Sequence, residues 1–188
     1  VKGVPSSFAL FTAAQGLPGN LVVDVVADEA GGVWVATRDA VARITADGEV
    51  GKGISVDDGD IGALARVADG DLRIGVGRRV IGWRPGDAKS RSIAVLPARV
   101  TALLAFEGAV LAGTARGLFE IRNGAVERSD LDIEAEVTAL AVDEQERVWV
   151  GTSGDGVWMI EESVAHRRDS QSPLPVVWDL QVDGAGNV

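Results

Sequence analysis

The sequence VWVAT at residues 33–37 decides the fold, because it returns as VWVGT at residues 148–152. Two weaker copies, LRIGV at 72–76 and VLAGT at 110–114, lie between them. The first residues of successive copies are 39, 38 and 38 residues apart. A period of about 40 residues is typical of propeller blades and of some arrays of paired helices. The local pattern must therefore distinguish between these two architectures.

The residues around the first copy predict four short strands. A β-branched run at 22–28 is typical of a strand, and residues 29–32 form a turn before the strand at 33–37. Further turns lead into a third strand at 41–44 and a fourth around 53–56, and the other copies repeat this order. No segment has apolar residues at helical spacing over the length of a helix, which excludes helical arrays.

Strands this short predict sheets that must stack on one another, because a four-stranded sheet of this size cannot bury both faces alone. We therefore predict an all-β protein, a β-propeller of four-stranded antiparallel blades. A β-sandwich is the alternative, and the fixed period makes it the weaker interpretation. The predicted blades span residues 20–56, 60–95, 99–130 and 136–168, with a partial blade from residues 1–15 and 176–188.

The two ends of the chain predict partial strands. Residues 8–11 are expected to form the fourth strand of a preceding blade, and residues 177–188 the first strand of a fifth. These ends pair in a composite fifth blade if the ring closes. We prefer an arc of four blades, cut from a larger ring or completed by another chain, because a composite blade would lack a complete second strand.

Composition narrows the range of functions. The chain has 188 residues, 46% of them hydrophobic, which is enough for the core of one domain. Its 18 basic and 28 acidic residues give a net charge of −10, so nucleic acid and anionic membranes are not expected partners. No signal-peptide or membrane-helix pattern is present. With no cysteine and one histidine, we predict no metal and no cofactor.

A lead-in, a strand-ending aspartate and a tryptophan strand follow one another in the first copy. They are GLPGN at 16–20, Asp28 and VWVAT at 33–37. This succession resembles the two-component regulator propeller repeat, in which Leu-Pro-x-Asn precedes a strand ending in Asp and a Trp-(Ile/Val)-Gly-Thr strand. The fourth copy matches from Asp143 onward, whereas the second departs, with Arg73 at the tryptophan position.

The resemblance implies a function in signalling. Repeats of this kind are similar to those of extracytoplasmic sensor regions of bacterial signalling proteins, including hybrid two-component kinases. The chain would then be a ligand-binding part of a sensor's input region, in the periplasm and without its own membrane insertion. The alternative is a structural propeller whose rim docks another protein. Self-association or membership of a larger propeller is also expected.

Arginine recurs in the loops between the second and third strands. These loops carry Arg38 in the first copy, Arg78 and Arg79 in the second, and Arg116 in the third. In a propeller they lie on one face around the central opening, so we predict a site for a small anionic ligand there. The alternative is that these arginines are solvated or pair with neighbouring acids such as Asp39.

The repeated aromatic and acidic residues have structural interpretations. Trp34 and Trp149 lie among β-branched residues and are predicted to pack between blades, with ligand contact as the alternative. Asp28, Asp143 and Asp183 each close a first strand before a turn. We expect their carboxylates to accept hydrogen bonds from local backbone N–H groups, with a calcium site as the alternative.

Catalysis has little support in the sequence. His166 is the only histidine, and HRRDS at 166–170 places its polar residues too close in sequence to face one another across a site. We expect His166 to be exposed on an edge strand. The acidic run at 57–60 lacks the spacing of a calcium loop. We predict a protein that is not an enzyme, with a metal- or carboxylate-dependent lyase or hydrolase as a minor alternative.

Overall fold

The computed structural model describes residues 9–129, 131, 133–162, 164–167, 176–183, 187 and 188. These residues form sixteen strands in four antiparallel sheets. Blade 1 contains β1 (Val22–Ala27), β2 (Val33–Thr37), β3 (Ala40–Ile44) and β4 (Val50–Ser55). Blade 2 contains β5 (Ile61–Arg66), β6 (Leu72–Val76), β7 (Arg79–Trp83) and β8 (Arg91–Val95). Blade 3 contains β9 (Val100–Phe106), β10 (Ala109–Thr114), β11 (Gly117–Arg122) and β12 (Ala125–Arg128). Blade 4 contains β13 (Glu136–Val142), β14 (Val148–Ser153), β15 (Val157–Glu161) and β16 (Val164–Arg167).

The strands of every blade pair in chain order, so each blade is a four-stranded meander. Within the described residues, no strand pairing joins one sheet to the next, and the ring is open. The predicted propeller of four-stranded antiparallel blades is confirmed. One boundary differs from expectation, since β4 begins at Val50 rather than near residue 53.

Apolar clusters hold neighbouring blades together. Between blades 1 and 2 the rings of Trp34 and Trp83 meet edge to face, with centroids 5.5 Å apart and an interplanar angle of 86°. Leu64 and Ile74 belong to the same cluster. A second cluster, around Phe119, lies between blades 2 and 3, and a third lies between blades 3 and 4. The prediction that Trp34 packs between blades is confirmed.

The first strand of each blade is the innermost one. β1 contacts β5, β5 contacts β9, and β9 contacts β13. All four strands carry a β-bulge near their start, where the register against the second strand shifts at Val23, Gly62, Thr101 and Thr138. A bulge changes the direction of the extra side chain. The repeat therefore presents one residue per blade, at a fixed position, towards the centre of the propeller.

Blade 2 departs from the repeat and still forms a complete sheet. Arg73 replaces the tryptophan, and its side chain is largely buried. The carboxylate that follows the first strand is supplied by Asp71, which accepts hydrogen bonds from Arg84 Nε at 2.9 Å and Arg91 Nη2 at 2.7 Å. Burial alone would raise the pKa of Asp71, but these hydrogen bonds outweigh it and lower the pKa. The buried carboxylate thus pairs with three arginines of this blade, Arg73, Arg84 and Arg91.

The two ends are less regular than predicted. Phe8 lies outside the described residues, and residues 9–11 form no strand and lead into a short 3₁₀ helix at Ala13–Gln15 that Thr12 caps. Phe11 instead packs on the outer face of blade 1. At the other end, Val176 forms one isolated bridge with Ser153, and the described residues 177–183 form no strand.

Candidate functional site: the central channel

The four arginines predicted around the central opening, Arg38, Arg78, Arg79 and Arg116, are called the rim arginines. The first of them, Arg38, is held by an ion pair. Its Nε and Nη2 atoms donate to Oδ1 and Oδ2 of Asp60, both at 2.8 Å. The side chains are 64% and 59% exposed, so the pair contributes little to stability. The hydrogen bonds from Arg38 lower the pKa of Asp60. The guanidinium therefore faces an acid from the connection between blades 1 and 2.

The other rim arginines have separate environments. Arg78 Nε donates to the carbonyl oxygen of Leu96 at 3.0 Å. Arg79 Nη2 donates to the carbonyl oxygens of Asp57 and Asp58 at 3.2 and 3.3 Å. The side chain of Arg116 is exposed and makes no hydrogen bond or ion pair with the described residues. The structure thus brings Arg38 and Arg79 to the turn at 57–60, and an arginine site for an anion stays a prediction.

The strand-ending aspartates are local caps, as predicted. Asp143 Oδ1 accepts from the backbone N–H groups of Gln145 and Arg147, each at 3.0 Å. Its Oδ2 accepts from Arg147 Nε at 2.7 Å and from Trp149 Nε1 at 2.8 Å. Burial alone would raise the pKa of Asp143, but these hydrogen bonds lower it to about 2. Asp183 caps the backbone N–H of Asn187 at 2.9 Å.

Arginines cover two of the repeat's indole rings. In blade 1, Arg43 donates to Asp28 through Nε at 2.8 Å, and its guanidinium carbon lies 5.9 Å from the centroid of Trp34. In blade 4, the corresponding distance from Arg147 to Trp149 is 5.7 Å. The contacts of Trp149 with Asp143 and Arg147 therefore lie within its own blade. His166 is exposed on β16, as expected.

A central channel of about 680 Å³ runs between the innermost strands. Residues of β1, β5, β9 and β13 line it, together with residues 178–181. At the bulge positions, Thr101 Oγ1 donates to the carbonyl oxygen of Val137 at 2.5 Å, and Thr138 Oγ1 donates to that of Val177. The threonine hydroxyls therefore join blade 3 to blade 4, and blade 4 to the segment that begins at Val176.

Trp178 occupies the bulge position of the fifth copy. It precedes Asp183 by the same spacing as Thr138 precedes Asp143. The backbone N–H of Val177 donates to the carbonyl oxygen of Thr152 at 2.9 Å, which places this segment beside blade 4. Trp178 is 82% exposed and lines the channel. We call the end of the channel bordered by Val23, Gly62, Thr101, Thr138 and Trp178 the channel mouth.

Two carboxylates at equivalent positions follow these bulge residues. Asp24 and Asp179 stand where the other copies have Ala63, Ala102 and Ala139. Asp24 accepts from the backbone N–H groups of Val25 and Leu64, each at 2.7 Å, and so connects blade 1 to blade 2. Burial raises the pKa of Asp24, and the nearby charge of Asp179 raises it further. Asp179 is exposed and accepts from the backbone N–H of Leu180 at 2.8 Å.

Sequence reasoning did not select the residues of the channel mouth. A signal for them was present, because Trp178, Asp24 and Asp179 all depart from the small residues of the other copies. Whether these side chains line the channel depends on which face of the strand points towards it. The β-bulge sets this face, and the position of the bulge cannot be read from the alternation of residues in the sequence.

One known family of repeats matches part of blade 1. The model of the two component regulator propeller family matches residues 16–39, which include the lead-in and the first two strands of blade 1. Blade 1 carries a two-component regulator propeller repeat. The resemblance predicted from the lead-in, Asp28 and the tryptophan strand is confirmed. No curated protein sequence is significantly similar to this chain.

Solved structures with the same fold include extracellular domains of sensors. The extracellular domain of a hybrid two-component system from B. thetaiotaomicron matches with a TM-score of 0.73 and 19% identity, over 92% of this chain and 26% of that one. A second such domain from B. thetaiotaomicron matches with a TM-score of 0.70 and 16% identity, over 89% and 25%. The chain thus spans about a quarter of these two domains.

An enzyme shares the fold as well. Virginiamycin B lyase from Staphylococcus aureus matches with a TM-score of 0.71 and 15% identity, over 84% of this chain and 58% of that one. At such low identities the likeness concerns the fold alone. In the described part of the chain, no helix has the length and apolar character needed to cross a bilayer.

Proposed function

We propose that this chain is part of the extracytoplasmic input region of a bacterial signalling protein and that it binds a small ligand at the channel mouth. The observation that carries the proposal is Trp178, an aromatic side chain left 82% exposed in a channel whose other bulge residues are small. Exposed aromatic residues in concave sites are typical of ligand contacts. The propeller repeat and the two extracellular sensor domains of the same fold support a periplasmic, ligand-binding role.

The proposed module acts by binding and does not catalyse a reaction. His166 lies on the outermost strand of blade 4, whereas the channel is lined by the innermost strands. The polar side chains of the channel mouth engage the backbone, because Thr101 and Thr138 donate to carbonyl oxygens and Asp24 accepts from N–H groups. Groups held in this way are suited to hold a ligand in a fixed position.

A thermal-shift screen tests the proposal. Purified chain is mixed with small anionic, neutral and cationic molecules, and the unfolding midpoint is measured. A ligand present at about 100 times its dissociation constant stabilises the folded state by about 2.7 kcal/mol, which raises the midpoint by about 5 °C or more. We expect such ligands to lose most of their effect on the Trp178→Leu variant. They should keep it on Trp158→Phe, which changes an indole of blade 4 that does not line the channel.

The outcomes of the screen are distinct. Ligands that stabilise the original chain but not Trp178→Leu support a site at the channel mouth. Ligands that stabilise both proteins equally, or a screen in which no compound raises the midpoint, would contradict the proposal. Retained near-ultraviolet circular dichroism shows that Trp178→Leu is folded.

A protein-binding role is the second candidate, and one surface favours it. Val23 and Val25 on β1 are 38% and 55% exposed, and the adjacent Leu21 is 63% exposed. In blades 2 and 3 the residues equivalent to Val25 are Leu64 and Leu103, which are 2% and 8% exposed in the interfaces with the preceding blade. The inner strand of blade 1 is thus suited to pack against another blade, whereas Phe11 and Leu17 cover the outer strands of that face.

A further inference from the structure

We infer that the ligand of the channel mouth is an organic cation that carries a compact alkylammonium group. This inference rests on the proposed function and adds the chemical class of the ligand. The aromatic face, the charge of the lining and the hydrogen-bonding state of the lining groups lead to it independently.

Trp178 offers the aromatic face. In blades 1 and 4 the repeat covers an indole with an arginine, Arg43 on Trp34 and Arg147 on Trp149, at 5.9 and 5.7 Å from the ring centroids. Among the contacts of the described residues, none places a cation on Trp178, whose ring is 82% exposed. An alkylammonium group over the ring would make the attraction that arginine makes at the other two indoles.

The charges of the channel favour a cation. Asp24 and Asp179 line it, while Arg66, the only basic residue among its described lining residues, is paired with Glu29. The chain as a whole carries a net charge of −10. A concave site lined by one sign of charge concentrates ions of the opposite sign. An anion would instead meet two carboxylates in this channel.

The hydrogen-bonding groups of the lining also distinguish between ligands. The hydroxyls of Thr101 and Thr138 already donate to backbone carbonyl oxygens. The carboxylates of Asp24 and Asp179 each accept a hydrogen bond at Oδ1 from the backbone N–H of the following residue. Apart from the exposed amide of Gln181, the indole N–H of Trp178 and the paired guanidinium of Arg66, the lining side chains thus offer acceptors and negative charge rather than donors. A quaternary ammonium group needs no donor, whereas a carboxylate, sulfate or phosphate does.

Titration of the full 188-residue chain with matched probes tests the inference. The probes are choline and its neutral isostere 3,3-dimethyl-1-butanol, which replaces the charged nitrogen by carbon. Binding is followed by calorimetry and by the indole N–H signal of Trp178 in NMR spectra. We expect choline to bind about tenfold more tightly than the isostere, because only the cation is attracted to the ring and the carboxylates.

Two variants and one control locate the effect. Trp178→Leu and Asp179→Asn should each weaken choline binding about fivefold or more, and Asp179→Asn should also reduce the preference for choline over the alcohol. Glu127→Gln removes an exposed acid from β12, away from the channel, and should leave the affinity unchanged. Because Trp178 and Asp179 are exposed, we expect both variants to fold.

The results separate this inference from the proposed function. The assignment of the ligand as a cation is overturned by any of three results. These are equal binding of the two probes, no binding of choline, or an unchanged preference for choline in Asp179→Asn. If neutral or anionic molecules instead bind and lose their affinity in Trp178→Leu, the channel mouth remains a ligand site and only the ligand class is wrong. If no molecule of any charge depends on Trp178, both proposals fail.

Discussion

At the scale of single residues, Asp143 is the cap whose loss should cost most. Its side chain is fully buried and accepts four hydrogen bonds, two of them from the side chains of Arg147 and Trp149. Asp143→Asn removes the charge and leaves these donors poorly paired. We expect a loss of about 3 kcal/mol in the free energy of unfolding at neutral pH, measured by urea denaturation.

The same variant should change the dependence of stability on pH. The pKa of Asp143 is about 2 in the folded protein, below the ordinary value of 3.8. The stabilisation by its charge is therefore present above pH 3.8 and disappears as the pH falls towards 2. The difference in stability between the original chain and Asp143→Asn should narrow over this interval. A constant difference from pH 7 to pH 2 would contradict the role of the charge.

An exposed acid provides the control for Asp143. Glu120 pairs with Arg122 at 2.8 Å, and their side chains are 38% and 52% exposed. Glu120→Gln should change the free energy of unfolding by less than about 0.5 kcal/mol. Losses of equal size in the two variants would show that burial of the Asp143 network does not determine its contribution.

At the scale of elements, a glycine in the second strand sets the distance between blades. A Cβ atom on Gly113 would lie 2.6 Å from Cγ1 of Val137, the residue before the bulge in the next inner strand. Gly75 meets Val100 at 2.6 Å and Gly151 meets Val177 at 2.7 Å in the same way. The glycine of the repeat thus leaves room for the valine that begins the next copy.

A double-mutant cycle tests this packing. Gly113→Ala should destabilise the chain by about 2 kcal/mol through overpacking, and Val137→Ala by about 2 kcal/mol through the cavity that it leaves. The double variant should lose at least about 1 kcal/mol less than the two single losses together, because each change relieves the other. Additive losses in chemical denaturation would mean that the two positions are not in contact.

At the scale of the whole molecule, the exposed inner strand of blade 1 should mediate association, because Phe11 and Leu17 cover only the outer strands of the same face. Leu21, Val23 and Val25 present an apolar strip, and at the interfaces between the other blades the position of Val25 is occupied by a leucine. We propose that the occupant is a second copy of this chain, because a blade of the same repeat has the complementary shape. Sedimentation velocity should show a species that grows with protein concentration.

Two substitutions test the surface. Val25→Asp should shift the chain to the monomer, because a charge in the interface would be desolvated without a partner. Val95→Asp is the matched control, since Val95 on β8 is 60% exposed but lies away from this face. A chain that stays monomeric at all concentrations, or variants that dissociate equally, would contradict this surface.

Most of the fold follows from the sequence, whereas most of the candidate site does not. The recurring tryptophan strand and the strand-ending aspartates predicted blades and caps, because each blade repeats local patterns over a few residues. The terminal strands were predicted by analogy with complete blades. Among the described residues no strand pairs with residues 9–11, and Phe11 packs against blade 1 in an irregular segment instead.

The sequence by itself determined the period, the strand order and the local caps, since these depend on residues that are close along the chain. Only the tertiary structure decided the partners of the arginines and the lining of the channel. Arg38 reaches Asp60 across 22 residues, and Asp24 reaches Leu64 across 40. Such contacts join different blades, and their geometry is set by how the sheets stack. The sequence alone does not distinguish Trp178 from the other tryptophans. The stacking of the sheets does, because Trp178 is the only tryptophan among the described residues that line the channel.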